Sequence, residues 1–291
     1  MPNESFITTP GITKKEREEV SVDGEKFYTN EKLRNFVIEV AEKKLPKTQA
    51  AKIKKLVNEK KVVPLFMTKN LWDYFRNRYK HTNYRRNIRG FLHNRTKIIY
   101  IIMDNMLLKG ILVTNKLLIE VIVHELVHLA FDTDPKRYLQ INLPILTNYY
   151  YHVFSMLFNI PKNRNIKNIV QRFVILYVKD EKNNSTEFND HYKLFDELYK
   201  FTDLTKKEFE NIVDRYLDFI YYEIKDNDFE IRKNYQDIRK LLTQAFVKAF
   251  NVPDHDSTPN QRAYITSEVI ATLAMVKPKS KFVTQTINII K

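Results

Sequence analysis

The stretch VIVHELVHLAF (121–131) constrains the fold of this chain more than any other part of its sequence. Its apolar residues predict a helix that is buried in a core, yet the same run carries His124, Glu125 and His128. Burying such groups without partners costs on the order of several kcal/mol. The fold must therefore surround this helix with hydrogen-bonding neighbours or with a metal ion.

The spacing of the two histidines favours the metal. His124 and His128 are four residues apart, which places both imidazoles on one face of a helix, one turn apart. Two nitrogens so placed suit one tetrahedral Zn²⁺, and Glu125 can reach a water on that ion without being a ligand itself. This His-Glu-x-x-His arrangement is typical of zinc metallopeptidases. The alternative is a buried helix whose histidines hydrogen-bond to their neighbours.

HELVH on a helix that follows a predicted strand resembles the zincin metallopeptidases, over roughly residues 95–132. The resemblance implies a zinc-dependent hydrolase that cleaves peptide bonds in a protein or peptide, as an endopeptidase rather than an exopeptidase. In that family the strand before the motif helix is often a sheet edge that pairs with extended substrate. RTKIIYIIMDN (95–105) would then be that edge strand.

Catalytic zinc takes a third protein ligand and keeps one open position. The gluzincin branch of the family uses a glutamate on a second helix, and Glu268 in AYITSEVIATLAM matches it. The residues around Glu268 are small enough for close helix packing: Ser267, Ala271 and Ala274. The sequence differs from the thermolysin-like pattern at Thr272, where that pattern has an aspartate. The separation of Glu268 from the HELVH motif is also long for a gluzincin.

Asp134 is the second candidate for the third ligand. The metzincin branch extends its motif to HExxHxxGxxH, sometimes ending in aspartate, and HELVHLAFDTD places Asp134 on that position. That branch has a glycine at the turn, whereas this chain has Phe131, which disfavours a positive φ. Another acidic residue remains a further alternative, and Asp132 is a candidate partner of the ligands.

The resemblance also implies roles in catalysis. Glu125 is expected to act as the general base, and a donor must stabilise the developing oxyanion. Tyr264 lies four residues before Glu268, on the same helical face, and is the first candidate donor, although core packing also explains a tyrosine there. Arg262 and His255 are further candidates.

The rest of the sequence predicts an α+β fold that is mainly helical, with a small mixed sheet before the motif helix. We expect an N-terminal arm (1–29), an α/β part with the edge strand and the HExxH helix (30–134) and a helical part (135–291). Before the motif, the pattern predicts helices from Asn30 and after Pro46, an edge or end strand at 62–67 and a helix at 68–80. It then predicts a strand at 96–105 and a second strand or hairpin return in LLKGILVT (107–114). The motif helix is predicted to be capped by Asn115 and to end near Asp132. After Pro135 the pattern predicts helices at 136–159, 163–179, 187–202, 205–225, 228–250 and 260–276, with loops at 180–186 and 251–260.

Charge points to a different class of function. The chain has 49 basic and 35 acidic residues, a net charge of +14, which attracts nucleic acid, anionic membranes or acidic proteins. The stretch 72–95 interleaves arginines with aromatic residues, as in a nucleic-acid-binding surface, or it is a solvated basic helix and loop. The alternatives to a peptidase are thus a basic nucleic-acid-binding protein and a structural, virion-type protein on an inactive zincin fold.

The lack of cysteine and of long apolar segments further limits the classes of site and the locations that the sequence allows. The sequence has no cysteine, which excludes disulfides, cysteine zinc sites and thiol nucleophiles. We expect neither a secretion signal nor a transmembrane helix, because no basic segment precedes an apolar leader and no apolar run reaches about 18 residues. A cytoplasmic or virion-associated protein is the expectation.

Overall fold

The structure, a computed structural model, describes residues 16–66, 71, 73–74, 89–103, 111–161, 164–183, 188–225, 234–252 and 265–291. These residues form an α+β fold that is mainly helical, as predicted. The helices are α1 (Glu31–Lys44), α2 (Lys47–Asn58), α3 (Ile111–Thr133), α4 (Pro135–Leu157), α5 (Lys167–Asn183), α6 (Asn189–Tyr199), α7 (Lys206–Lys225), α8 (Gln236–Phe250), α9 (Thr266–Val276) and α10 (Lys281–Ile287). The strands are β1 (Glu18–Val22), β2 (Glu25–Thr29), β3 (Val62–Leu65), β4 (Gly90–His93) and β5 (Ile98–Ile102).

Part of the predicted N-terminal arm is a folded hairpin. Strands β1 and β2 pair antiparallel around a turn in which Asp23 and Gly24 have positive φ, a conformation that suits this residue pair. Phe27 of β2 is fully buried in one core cluster with Leu65 and Tyr100. The description of 1–29 as an arm is therefore wrong for residues 18–29, because the hairpin contributes to a hydrophobic core.

The three-stranded sheet has the order β3-β5-β4, with β3 parallel and β4 antiparallel to β5. Among the described strands β3 lies at an edge of this sheet, which is one of the two positions, edge or end, predicted for the strand that contains Pro64. The edge position predicted for RTKIIYIIMDN is wrong, because β5 lies between the two other strands. Four consecutive residues of β5, from 99 to 102, are buried, so both of its faces are covered. A strand of this kind belongs in the centre of a sheet.

The motif helix α3 ends at Thr133, within one residue of its predicted end, and α4 begins at Pro135. Its start differs from the prediction. The helix already includes Ile111, so Asn115 lies inside it rather than capping it, and ILVT (111–114) is helical rather than a strand. Short β-branched runs are compatible with either structure, and here the helix continues through them.

The chain forms two compact units, one of Met1–Leu129 with Lys277–Asn288 and the other of Ala130–Val276 with Ile289–Lys291. In the first unit α10, which the sequence did not predict, contacts α2, and Gln49 Nε2 donates to Thr284 Oγ1 at 2.9 Å.

The second unit is helical, and its core holds a cluster of aromatic rings from α4, α5, α6 and α7: Tyr150, Phe154, Phe173, Phe195 and Tyr216. Helix α5 extends to Asn183, so the predicted loop at 180–186 is wrong for its first four residues. None of the helices in the described ranges has the length and apolar character needed to cross a membrane.

Candidate metal centre

Helix α3 presents the two motif histidines as a pair. His124 is 3% exposed and His128 is partly buried, and their Nε2 atoms lie 3.1 Å apart. Two ligands held tetrahedrally at 2.0–2.1 Å from one zinc ion are separated by roughly 3.4 Å. The observed separation is close to that value, although it also fits a hydrogen bond between the two rings.

A carboxylate on another helix lies close to the two histidines. Glu268 lies in the first turn of α9. One donor atom each from His124, His128 and Glu268 all lie within 4.8 Å of one another. A simple pair of hydrogen-bonded histidines does not require a third converging donor, whereas a catalytic zinc site does.

The alternative ligand Asp134 has a different role in the structure. Its carboxylate accepts a hydrogen bond from the backbone N–H of Arg137 at 3.0 Å, which makes Asp134 the N-cap of α4. Asp132 accepts from Lys182 Nζ at 3.1 Å and so forms an ion pair between α3 and α5. Neither aspartate belongs to the group of converging donors.

Glu125, the predicted general base, is 7% exposed, and β4 packs close to its stem. A Cβ atom added at Gly90 would lie 2.6 Å from Val121 Cγ1 and 3.4 Å from Glu125 Cγ. Only glycine permits this approach of strand and helix. Sequence reasoning missed Gly90, although a lone glycine within a strand is a known signal of close backbone approach.

Glu181 was also missed, and it determines how α9 begins. Its carboxylate accepts hydrogen bonds from the backbone N–H groups of Thr266 at 2.9 Å and Ser267 at 3.2 Å. Both hydroxyl groups donate to the same carboxylate. Burial raises the pKa of Glu181, and these four hydrogen bonds oppose that shift. No local pattern in the sequence connects Glu181 with residues about 85 positions away.

Several predicted features fall outside the described residues. These are the candidate oxyanion donors Tyr264, Arg262 and His255, and most of the basic aromatic stretch 72–95. The described end of that stretch includes β4. There His93 is buried and bonds through Nε2 to Asp23 at 2.8 Å, which ties the N-terminal hairpin to the sheet.

Comparison of the chain with protein-family models, with curated proteins and with solved structures finds no match.

Proposed function

We propose that the chain is a zinc-dependent metallopeptidase of the zincin type that hydrolyses peptide bonds. The observation that carries this proposal is the convergence of His124, His128 and Glu268 within 4.8 Å. The three come from the motif helix and from a helix far along the chain. Such a distant pairing is the arrangement that the resemblance to gluzincins implies.

The chemistry of the donor set fits zinc. Two imidazole nitrogens and one carboxylate oxygen form a ligand set that catalytic zinc sites use, with a fourth position left for water or substrate. Imidazole-rich sites disfavour Mg²⁺ and Ca²⁺, which prefer oxygen ligands. His128 and Glu268 are partly exposed, as a catalytic site that takes up substrate from solvent requires.

Glu125 is positioned for proton transfer. It follows the first histidine directly and lies on α3 within the same turn, so it borders the helix face that carries the two histidines. In the proposed reaction Glu125 accepts a proton from the attacking water and then passes it to the leaving amine. Zinc, when bound, supplies Lewis-acid activation of the water and of the scissile carbonyl. Tyr264 remains the proposed oxyanion donor.

Strand β4 replaces β5 as the proposed substrate strand. Within the described residues β4 pairs with β5 on one side and with no strand on the other. Gly90 at its start lies against Val121 and Glu125 of the motif helix. An extended peptide added to this edge would run beside the general base, which is the geometry of β-augmentation. A peptide bound along a strand on both sides of the cleaved bond favours an endopeptidase.

The experiment is a cleavage assay with a complex mixture of unfolded proteins, in which new N-termini are identified by mass spectrometry. The wild type loaded with zinc is compared with Glu125→Gln, which keeps all proposed ligands. Peptide bonds cleaved by the wild type alone, and protected by a zinc chelator, would support the proposal. Full zinc occupancy without cleavage above the Glu125→Gln level would reject a peptidase and favour an inactive zincin fold.

A further inference from the structure

We propose that Glu181 is a positioning residue for the metal centre, because it fixes the first turn of the helix that carries Glu268. The inference rests on the proposed function, since it concerns the third ligand of the same site. Glu181 lies on α5, outside the HELVH motif and outside the segment around Glu268.

Among the residues that the structure describes, the segment that leads into α9 supplies no capping side chain for its first turn. The residue before the helix is Ile265, whose side chain has no hydrogen-bond acceptor. The first N–H groups of a helix have no partner within the helix, so they need an acceptor from elsewhere. Glu181 provides it, since its two carboxylate oxygens bind the N–H groups of Thr266 and Ser267.

The hydroxyl groups make this attachment specific. Ser267 Oγ donates to one oxygen of Glu181 at 2.5 Å, and Thr266 Oγ1 donates to the other. Both residues are at most 5% exposed, so water does not compete strongly for these bonds. A negative charge at a helix N-terminus also interacts favourably with the helix dipole. Four donors on one carboxylate hold the start of α9 in one orientation against α5.

A buried tyrosine adds a further contact at the same place. Tyr138 of α4 is fully buried, and its hydroxyl donates to the carbonyl oxygen of Thr266 at 3.4 Å. Burial raises the pKa of Tyr138 well above its usual range, and the carboxylates of Glu181 and Glu268 contribute to that shift. The tyrosine thus stays a neutral donor.

Glu268 follows Ser267 directly in the chain. Because the backbone of Thr266 and Ser267 is fixed against α5, the position of the next residue is fixed as well. Partners that orient a ligand in this way commonly contribute about 10- to 100-fold to metal affinity. Without Glu181 the helix can still form, but its first turn loses the contacts that orient the ligand.

The test measures zinc affinity by competition with a chromophoric chelator, and the absorption spectrum of the Co²⁺-substituted protein. Glu181→Ala should weaken zinc binding by about 10-fold or more and change the Co²⁺ ligand-field bands. Glu181→Gln, which keeps the shape and part of the hydrogen bonding, should recover part of the affinity. Glu208→Ala is the matched control, because Glu208 likewise caps the start of α7 through Thr205 N at 2.9 Å. The control should keep wild-type affinity and spectrum.

If Glu181→Ala does not fold, Ser267→Ala takes its place, since it removes a single hydroxyl donor and should give a smaller loss of the same kind. Equal affinities and spectra in wild type and in the folded Glu181 and Ser267 variants would overturn the inference while leaving the zinc site intact. An equal loss in Glu208→Ala would also overturn it, since the effect would then be one of general stability. A wild type that binds no zinc would instead reject the proposed function itself.

Discussion

The Nε2 atoms of His124 and His128 lie 3.1 Å apart on successive turns of one buried helix. This pairing follows from the four-residue spacing, since a helix brings such residues to the same face. The carboxylate of Glu268 adds a third donor within 4.8 Å.

Glu125→Gln should bind zinc like the wild type and lose hydrolytic activity by about 10²- to 10⁴-fold. The amide keeps the size of the carboxylate but cannot accept the proton of the attacking water. Zinc content and the rate of peptide cleavage are measured on the same preparation. Wild-type activity in this variant would show that another residue is the base.

Glu268→Ala should lower zinc affinity, whereas Asp134→Ala should lower the free energy of unfolding. Glu268→Ala removes a proposed ligand, so zinc affinity should fall by more than the about 10- to 100-fold that loss of an outer partner costs. Asp134→Ala removes the N-cap of α4, so it should lower the free energy of unfolding by about 1 kcal/mol and keep zinc. Chelator competition and denaturant unfolding measure the two quantities. A Glu268→Ala protein with unchanged zinc affinity would contradict the ligand assignment.

Gly90→Ala should destabilise the protein by about 1–3 kcal/mol, because its methyl group would overlap Val121 Cγ1. Denaturant unfolding measures this loss, and Val121→Ala in the same chain should restore part of it. Gly24→Ala serves as the control, since Gly24 has open space but a φ of +84° and its substitution strains the backbone alone. Val121→Ala should not rescue that variant. Additive effects of Gly90→Ala and Val121→Ala would refute the close approach of β4 and α3.

His191 should make the stability of the protein depend on pH. Its Nε2 bonds to Asp180 at 2.6 Å, and burial lowers the pKa of His191 more than this bond raises it. The unfolded chain, with a histidine pKa of about 6.5, therefore binds more protons than the folded protein in the window between the two values. The contribution of the buried, neutral His191 to the free energy of unfolding should be fully present above that pH window and should be lost as the pH falls through it.

The variant His191→Gln can still donate to Asp180 but does not titrate. Its urea midpoint should therefore fall less than that of the wild type between about pH 7.5 and about pH 5.5. Parallel losses in the two proteins would mean that His191 does not contribute to the pH dependence.

The sequence predicts the parts of the site that are local. His124, Glu125 and His128 lie within five consecutive residues, so the periodicity of a single helix is enough to place them together. Glu268 is far along the chain, and it was predicted from the resemblance to gluzincins rather than from spacing. Its position near the histidines depends on tertiary packing.

The features that the sequence did not reveal are contacts between distant segments. The hydrogen bonds of Glu181 to Thr266 and Ser267 join residues 85 and 86 positions apart, and nothing near Glu181 marks it as a cap. The central position of β5 could have been predicted from the sequence. IIYII lacks the alternation of apolar and polar residues that an exposed edge strand has.

The zinc-to-protein ratio of the purified wild type and of His124→Ala, determined by elemental mass spectrometry, decides whether the HELVH helix holds a metal ion. We expect about one zinc per chain in the wild type, in line with a single catalytic ion, and loss of that zinc in the variant. A ratio near zero in the wild type, even after zinc is supplied, would contradict this expectation. The two histidines would then be hydrogen-bonded residues of the core.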